Sequence, residues 1–244
     1  NENSNVGRGL YDLASETTQN YSSARNTVKD FIGANSPEEI VFVRNTSEGI
    51  NMVAESLDID GSIVIPEMAH HSNQLPWRRK AENEDLDIEW IPTENGKLDL
   101  EAAEEIIDEE TSIVSVSHIS NVFGCLNPIK ELAEIAHEND AYILVDGAQS
   151  VPRMPVDVNE INADFMVFSG HKMLGPTGTG VVYGRKEILK QMSPYQVGGG
   201  MIRSVSKDEI SWEELPHKFE AGTPNIAGTM GLEAAIEYLK EIGM

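Results

Sequence analysis

The sequence predicts an α/β fold in which a mostly parallel central sheet is covered by helices on both faces. Short apolar runs alternate along the chain with longer amphipathic stretches, the pattern typical of βα units. The apolar runs are rich in β-branched residues and too continuously apolar for a strand with one face in water, so both faces of the sheet should be buried. Polar residues that follow such strands meet at the carboxyl edge of the sheet, where ligands bind.

Each element follows in order from these patterns. The apolar runs predict strands at residues 39–44, 62–66, 86–92, 112–117, 141–145, 164–169 and 180–183. Apolar residues at helical spacing predict helices at residues 14–31, 47–57, 100–109, 129–138 and 226–242. No long Pro-, Gly- or Ser-rich linker interrupts the series. We therefore expect residues 31–244 to form one large domain after an N-terminal segment, residues 1–30.

The charge balance excludes partners that are polyanions. The 244 residues include 18 Lys and Arg against 41 Asp and Glu, which gives a formal net charge of −23 at pH 7. Nucleic acids and anionic membranes are bound through clustered Lys and Arg, so neither is an expected partner. Acidic runs such as residues 101–110 are typical of solvated helix faces. Adaptation to high salt, where repulsion between carboxylates is screened, is the alternative hypothesis and would make the protein halophilic.

Cysteine usage and hydropathy bear on the compartment. Cys125 is the single cysteine, so no internal disulfide can form. No signal peptide or long apolar run is visible. We therefore expect a cytoplasmic protein. Because the chain starts at Asn1 and not at a Met, we interpret it as a fragment.

Two strands end in residues that carry chemistry. Asp146 follows the strand at 141–145, and a buried carboxylate there needs a cationic partner. Lys172 follows the strand at 164–169 in a glycine-rich loop, where apolar walls would lower its pKa and make it an amine nucleophile for Schiff-base chemistry. A helix-capping Asp and a surface Lys are the ordinary alternatives. The spacing of a nucleotide P-loop is absent, which disfavours nucleoside triphosphate binding.

Other strand ends supply hydroxyl and imidazole groups. Thr46 and Ser47 start a helix, where hydroxyls and free N–H groups form a phosphate site or a plain N-cap. His70 and His71 are adjacent and lack the i, i+4 spacing of a helical metal site, so we predict no metal site. An imidazole that stacks on a flat cofactor or moves a proton is the favoured interpretation.

Together these groups are the parts of a pyridoxal 5′-phosphate site. Seven motifs extend the pattern along the chain: RNTSEGIN (44–51), HHSNQLPW (70–77), SHISNVFG (117–124), VDGAQS (145–150), SGHKMLGPTGTG (169–180), GGGMI (198–202) and FEAGTPN (219–225). With these motifs in this order, the sequence resembles the group II cysteine desulfurases, of the SufS and selenocysteine lyase type, in the class V aminotransferase family. The resemblance implies the large domain of the PLP-dependent transferase type I fold.

The resemblance also implies roles around the cofactor ring. Lys172 would be the Schiff-base lysine and proton shuttle, and Asp146 would pair with the pyridine nitrogen and keep it protonated. Gln149 would donate a hydrogen bond to the phenolic oxygen. His70 would stack on the ring and assist proton transfer. Asn121 would contact the substrate amine or the ring oxygen.

Further residues are implied at the phosphate and at the entrance. Those that would hold the phosphate lie after two strands: Thr46, Ser47, Ser169 and His171. Thr223 matches a residue that reaches across a homodimer to the neighbouring phosphate. Arg8 matches a segment near the substrate, although Gly7 replaces the family's His.

The implied reaction converts L-cysteine to L-alanine and leaves sulfur as an enzyme persulfide for a sulfur-acceptor protein in iron–sulfur cluster assembly. In the family, the persulfide cysteine and a carboxylate-binding arginine lie in a C-terminal small domain, which we expect to be missing from this chain. Cys125 is not at the nucleophile position, and we interpret it as a packing residue. A selenocysteine lyase, another class V enzyme and a non-catalytic scaffold with the same fold are the alternatives.

Overall fold

The protein is represented by a computed structural model that describes residues 12–244, with side chains described from residue 15 onward. The helices are α1 (Asp12–Phe31), α2 (Thr46–Ser56), α3 (His71–Glu84), α4 (Leu100–Ile106), α5 (Ile129–Glu138), α6 (Lys186–Gln191) and α7 (Ile226–Ile242). The strands are β1 (Ile40–Val43), β2 (Ser62–Pro66), β3 (Ile88–Ile91), β4 (Thr93–Glu94), β5 (Lys97–Leu98), β6 (Thr111–Ser117), β7 (Tyr142–Asp146), β8 (Phe165–Ser169), β9 (Gly180–Gly184), β10 (Ile202–Val205) and β11 (Ile210–Trp212).

Seven strands form the central sheet in the order β1-β9-β8-β7-β6-β2-β3. The pairs from β3 to β8 are parallel, and β9 runs antiparallel to both of its neighbours, β8 and β1. Since β1 therefore runs in the same direction as β8, only β9 is reversed within this sheet. The predicted mostly parallel sheet is confirmed, and the carboxyl ends of its parallel strands share one edge.

Helices cover both faces of this sheet. Alternate strand residues point to opposite faces, so Ile63 and Ile65 belong to one hydrophobic cluster and Val64 to the other. The first cluster includes residues of α2, α3 and α6, and the second includes residues of α1, α4, α5 and α7. This arrangement confirms the predicted covering and explains why the strand sequences are apolar on both sides.

The predicted elements match the observed ones closely, with two helices and two small hairpins added. Helices α3 and α6 and the β4-β5 and β10-β11 pairs did not follow from the sequence pattern. Helix α4 ends at Ile106, earlier than predicted, because Ile107 takes up extended backbone. None of the helices described in residues 12–244 has the length and apolar character to cross a membrane.

Candidate active site

A pocket of about 320 Å³ opens at the carboxyl edge of the central sheet. It collects residues that follow β1, β2, β6, β7 and β8, as expected for an open α/β sheet. The sequence-predicted residues that line it are Thr46, Ser47, His70, Asn121, Asp146, Gln149, Ser169, His171 and Lys172. Asn45, Ser72, Ser117, Ile119 and Ala148 line it as well and were not singled out from the sequence.

The first turn of α2 brings hydroxyls and a free N–H group to one end of the pocket. Asn45 is the N-cap, because its side chain accepts a hydrogen bond of 2.9 Å from the Glu48 N–H. Plain N-capping by Thr46 or Ser47 is therefore excluded. The Thr46 hydroxyl lies 2.7 Å from the Ser169 hydroxyl, and the Thr46 N–H donates to that same oxygen at 2.8 Å. The Ser47 N–H makes no hydrogen bond within the described residues.

A second hydroxyl contact joins α2 to α3. The Ser47 and Ser72 hydroxyls lie 2.7 Å apart. Ser72 is in the first turn of α3, so the starts of two helices face the same space. Free N–H groups and hydroxyls at helix N-termini favour anions, and phosphate above all. This end of the pocket is therefore an anion site built from two helix starts.

Asp146 lies at the end of β7 and is only 6% exposed. Within the described residues, its carboxylate accepts one hydrogen bond, from the Ala148 N–H to Oδ1 at 3.0 Å, and makes no ion pair. Burial raises the pKa of Asp146 above its ordinary value, and the Ala148 hydrogen bond and the charge of Lys172 offset only part of this shift. A buried carboxylate without an ion pair favours a cation in the space beside it.

Lys172 follows β8 on a short 3₁₀ turn, Gly170–Lys172. Its side chain is exposed and makes no hydrogen bond or ion pair within residues 12–244. The prediction of an apolar wall around Lys172 is wrong, because the side chain is exposed and lines a pocket of mostly polar residues. A ligand in the pocket can therefore reach the Lys172 amine.

His70, Asn121, Gln149 and His171 complete the lining. His70 precedes α3, and its Nδ1 accepts a hydrogen bond of 3.1 Å from the Ser72 N–H. The side chains of Asn121, Gln149 and His171 make no hydrogen bond within the described part of the chain. These groups are free to contact a bound molecule.

Of the predicted site residues that the structure describes, Thr223 is not in this pocket. Thr223 is exposed and lines a separate pocket of about 360 Å³ with Tyr21 and Tyr195. Arg8 lies outside the described residues. Cys125 is half-buried on the loop after β6 and does not line the candidate site.

The opposite, amino edge of the sheet carries a larger groove of about 690 Å³. Its lining includes eight carboxylates: Asp58, Asp60, Asp85, Asp87, Glu89, Glu109, Glu110 and Asp140. Within residues 12–244, no group of three or more His, Cys, Asp or Glu residues is arranged to hold a metal ion. The groove is an acidic surface, away from the groups that could do covalent chemistry.

The comparison with protein families shows the family of this chain. The model of the aminotransferase class-V family matches residues 1–244. The chain belongs to this family. A curated relative, the cysteine desulfurase of Haloferax volcanii, is 49% identical over 99% of this chain and 58% of its own length. The chain therefore spans about three fifths of the curated relatives it matches.

Solved structures of the class-V type share the fold. The apo cysteine desulfurase from Thermococcus onnurineus NA1 superimposes with a TM-score of 0.94 at 43% identity, over 99% of this chain and 62% of that one. The Escherichia coli cysteine desulfurase CsdA (S-sulfonic acid) gives a TM-score of 0.89 at 37% identity, over 98% and 61%. These matches confirm the predicted fold of PLP-dependent cysteine desulfurases.

The class-V family implies pyridoxal 5′-phosphate as cofactor, and the donor groups of the pocket fit it. The hydroxyls of Thr46, Ser47 and Ser72 and the free Ser47 N–H suit a phosphate. Asp146, buried without an ion pair, suits a protonated ring nitrogen. Lys172 supplies an unengaged amine in the same pocket.

Proposed function

We propose that the full-length protein is a PLP-dependent cysteine desulfurase that converts L-cysteine to L-alanine and retains the sulfur as an enzyme persulfide. The observation that carries this proposal is the pocket itself. It combines an anion site, a buried unpaired carboxylate and an exposed lysine amine within about 320 Å³. The 49% identity to a cysteine desulfurase supports the choice of reaction among class-V activities.

In this proposal Lys172 holds the cofactor and moves the proton at the substrate Cα. The cofactor supplies a sink for the electron pair that remains when this proton leaves. Asp146 would keep a positive charge on the ring nitrogen, since its carboxylate makes no ion pair within the described residues. The first turn of α2, in which Ser169 contacts both the N–H and the hydroxyl of Thr46, would hold the phosphate.

The remaining contacts belong to the same proposal. Gln149 would donate a hydrogen bond to the ring oxygen, and Asn121 would contact the substrate amine. Both amides line the pocket without protein partners in the described residues, which supports these roles. Ser169 and His171 would help to hold the phosphate. Arg8 stays a prediction for the substrate entrance.

The wider assignment follows from the family resemblance. We propose that the enzyme is of group II, that it is cytoplasmic, and that it delivers sulfur to an acceptor protein for iron–sulfur cluster assembly. It would act as a homodimer in which Thr223 reaches the neighbouring site; the exposure of Thr223 in a separate pocket supports this role. Residues 31–244 would be the cofactor-binding large domain, and the persulfide cysteine would lie in a small domain of the full-length protein.

The test is cofactor binding and product formation by the full-length protein. With pyridoxal phosphate, we expect a visible absorbance band that borohydride reduces, and L-cysteine should give alanine and bound sulfane sulfur in equal amounts. Lys172→Ala should lower the rate of alanine formation by about 10²- to 10⁴-fold. Lys190→Ala is the matched control, because Lys190 lies on α6 and pairs with Glu187 at the surface.

Three results would contradict the proposal in different ways. A protein that never takes up the cofactor is a scaffold. A protein that binds the cofactor but forms alanine from selenocysteine only is a selenocysteine lyase. Transfer of an amino group to a keto acid, without release of sulfur, would indicate another class-V activity.

A further inference from the structure

The first turn of α2 carries two hydroxyls that are held in different ways. Thr46 is buried, and its hydroxyl lies 2.7 Å from that of Ser169, which is buried as well. Ser47 is exposed, and within the described residues its hydroxyl contacts only the Ser72 hydroxyl, at 2.7 Å. The Ser47 N–H makes no hydrogen bond there. Ser47 is therefore the residue of this turn whose N–H and hydroxyl are both open to a ligand in the pocket.

Helices α2 and α3 lie side by side and run in the same direction. The Ser47 and Ser72 hydroxyls join their first turns, and toward the other end Lys80 of α3 donates to the carbonyl of Leu57, the C-cap of α2, at 2.9 Å. Two parallel helices bring the positive ends of their dipoles together, and these ends repel each other. An anion beside both starts offsets this repulsion, so α3 contributes to the anion site through Ser72.

The two serine hydroxyls share their hydrogens in one of two orders. Each hydroxyl has one hydrogen to donate, and one of the two is used between Ser47 and Ser72, so the pair keeps one for a ligand. If Ser72 donates, the free O–H is on Ser47, next to the free Ser47 N–H, and one residue offers two donors to the same anion. The hydrogen bond that Ser47 then accepts also polarises its hydroxyl and makes it a stronger donor. A bound anion therefore favours this order.

We propose that Ser72 is a positioning residue of the phosphate site: its hydroxyl donates to the Ser47 hydroxyl and holds the Ser47 O–H toward the phosphate, without being a phosphate ligand itself. This inference rests on the proposed function, in which the phosphate is that of the cofactor. It assigns to α3 a part in cofactor binding that acts through α2. Asp146 lies in the same pocket and its negative charge opposes an anion, but it is common to all the variants compared below.

The size of the effect follows from the freedom of an exposed serine. The Ser47 side chain has three staggered rotamers, and the contact with Ser72 selects one of them before a ligand arrives. Without Ser72, this selection would have to be made on binding, which weakens affinity by about threefold. Loss of the polarising hydrogen bond adds to this, so we expect a total of about three- to tenfold. Loss of the Ser47 hydroxyl itself should be larger, about 10- to 100-fold, because it removes a hydrogen bond to a charged group.

The test is a double-mutant cycle on the full-length protein, with two measurements of binding. The affinity for pyridoxal 5′-phosphate comes from a spectroscopic titration, and that for inorganic phosphate from the rise in melting temperature of the cofactor-free protein. Ser72→Ala should weaken both by about three- to tenfold. In a Ser47→Ala background, Ser72→Ala should cause no further loss, because its effect passes through the Ser47 hydroxyl. Ser72→Thr keeps a hydroxyl and should restore affinity to within about twofold of wild type.

Two comparisons separate this role from a structural one. Pyridoxal, which lacks the phosphate, should bind equally well to wild type and to Ser72→Ala. The matched control is Ser23→Ala, because the Ser23 hydroxyl also joins two helices, donating to Glu233 of α7 at 2.8 Å, but Ser23 does not line the site. This control should leave phosphate affinity unchanged, and without ligand the two variants should melt within about 2 °C of each other. The Ser72 N–H, which donates to His70, is kept in Ser72→Ala.

Several results would overturn the inference. An equal loss of phosphate affinity from Ser72→Ala with and without the Ser47 hydroxyl would make Ser72 a direct ligand. An equal loss of pyridoxal and pyridoxal phosphate binding, or no loss of either, would leave Ser72 a structural residue. Failure of the proposed function is distinguishable from these outcomes. A wild-type protein that follows the cycle but forms no alanine from L-cysteine refutes the function and supports the inference, whereas one that binds neither phosphate nor cofactor refutes both.

Discussion

A buried ion pair between Arg25 and Glu220 ties α1 to the segment that carries Thr223, and its removal should strongly destabilise the protein. The pair is bidentate, with N–O distances of 2.8 and 2.9 Å. The two side chains are 6% and 9% exposed. Glu220 also accepts a hydrogen bond of 2.9 Å from the Phe42 N–H, and Arg25 donates to the Ile40 carbonyl, so the pair also fixes strand β1.

The expected magnitude follows from this geometry. Arg25→Met removes the cation but leaves the Glu220 carboxylate buried, with the Phe42 N–H as its main remaining partner. Loss of one partner of a buried pair lowers the free energy of unfolding by about 3–5 kcal/mol. The Ile40 carbonyl also loses a donor, which adds about 1 kcal/mol. We therefore expect a loss of about 4 kcal/mol or more, and a smaller loss in Arg25→Met/Glu220→Gln, where no unpaired charge stays buried.

The effect should depend on pH. Burial alone would raise the pKa of Glu220, but Arg25 and the surrounding hydrogen bonds outweigh this and hold it below its ordinary value. A carboxyl group with a lowered pKa in the folded state adds stability above its unfolded pKa, and this stability is lost as the pH falls through the folded pKa. The difference between wild type and Arg25→Met should therefore be full at neutral pH and decrease in acid.

Urea unfolding of the full-length protein, followed by tryptophan fluorescence, measures these differences. The matched control is Arg79→Met, because Arg79 pairs with Glu55 at the surface, where the two side chains are 54% and 46% exposed. Such a pair contributes about 0–1 kcal/mol. If Arg25→Met lost no more stability than this control, or lost the same amount at pH 4 as at pH 7, the reasoning from burial would be refuted.

Three further predictions concern the candidate site and the charge of the chain. Asp146→Asn should raise the melting temperature of the cofactor-free protein at neutral pH, because burial raises the pKa of this carboxyl, but not in acid, where the wild-type group is protonated; the same variant should bind pyridoxal phosphate more weakly in a spectroscopic titration. Ser169→Ala removes the acceptor of the buried Thr46 N–H, so it should lower the free energy of unfolding by about 1–3 kcal/mol. It should also weaken the binding of inorganic phosphate, measured by how well phosphate competes with the cofactor for the site. If the net charge of −23 is an adaptation to salt, the melting temperature should rise steeply between low and molar KCl, and a salt-independent melting temperature would remove that hypothesis.

The central sheet could be predicted because the signal for each strand lies within the strand's own residues. A strand buried on both faces must be apolar at every position, so runs such as residues 141–145 stand out without knowledge of their neighbours. The convergence of Asp146, Lys172 and Thr46 then follows, because the carboxyl ends of parallel strands lie at one edge. The reversed direction of β9 does not disturb this, since the strand carries no predicted site residue.

Helix α3 could not be predicted in the same way. Its sequence is polar over most of its length and contains Pro76, and Trp77 is its main fully buried apolar residue. The apolar periodicity of an ordinary surface helix is therefore weak. Because α3 was not predicted, His70 could be placed only after a strand. Neither its position as the N-cap of α3 nor the place of Ser72 in the pocket could be predicted.

The environment of Lys172 shows a related limit. Flanking apolar residues suggested an apolar wall, but Met173 turns into the core whereas Leu174, with a positive φ, points outward and is 66% exposed. The direction of each side chain in a tight turn depends on its backbone angles, which the residue types on either side do not fix. The position of the amine followed from topology, and its surroundings did not.

The arrangement of charge in the pocket also explains how a ligand would be oriented. Hydroxyls and a free N–H at the start of α2 favour an anion at one end, while the buried carboxylate of Asp146 favours a cation beside β7. A molecule with a phosphate and a protonated ring nitrogen satisfies both only in one orientation. Reversal would place a phosphate against a carboxylate that the protein leaves without an ion pair, so repulsion as well as attraction selects the productive pose. Lys172 can then lie on a surface-exposed turn, because the ligand is aligned by the two ends of the pocket and not by the lysine's own surroundings.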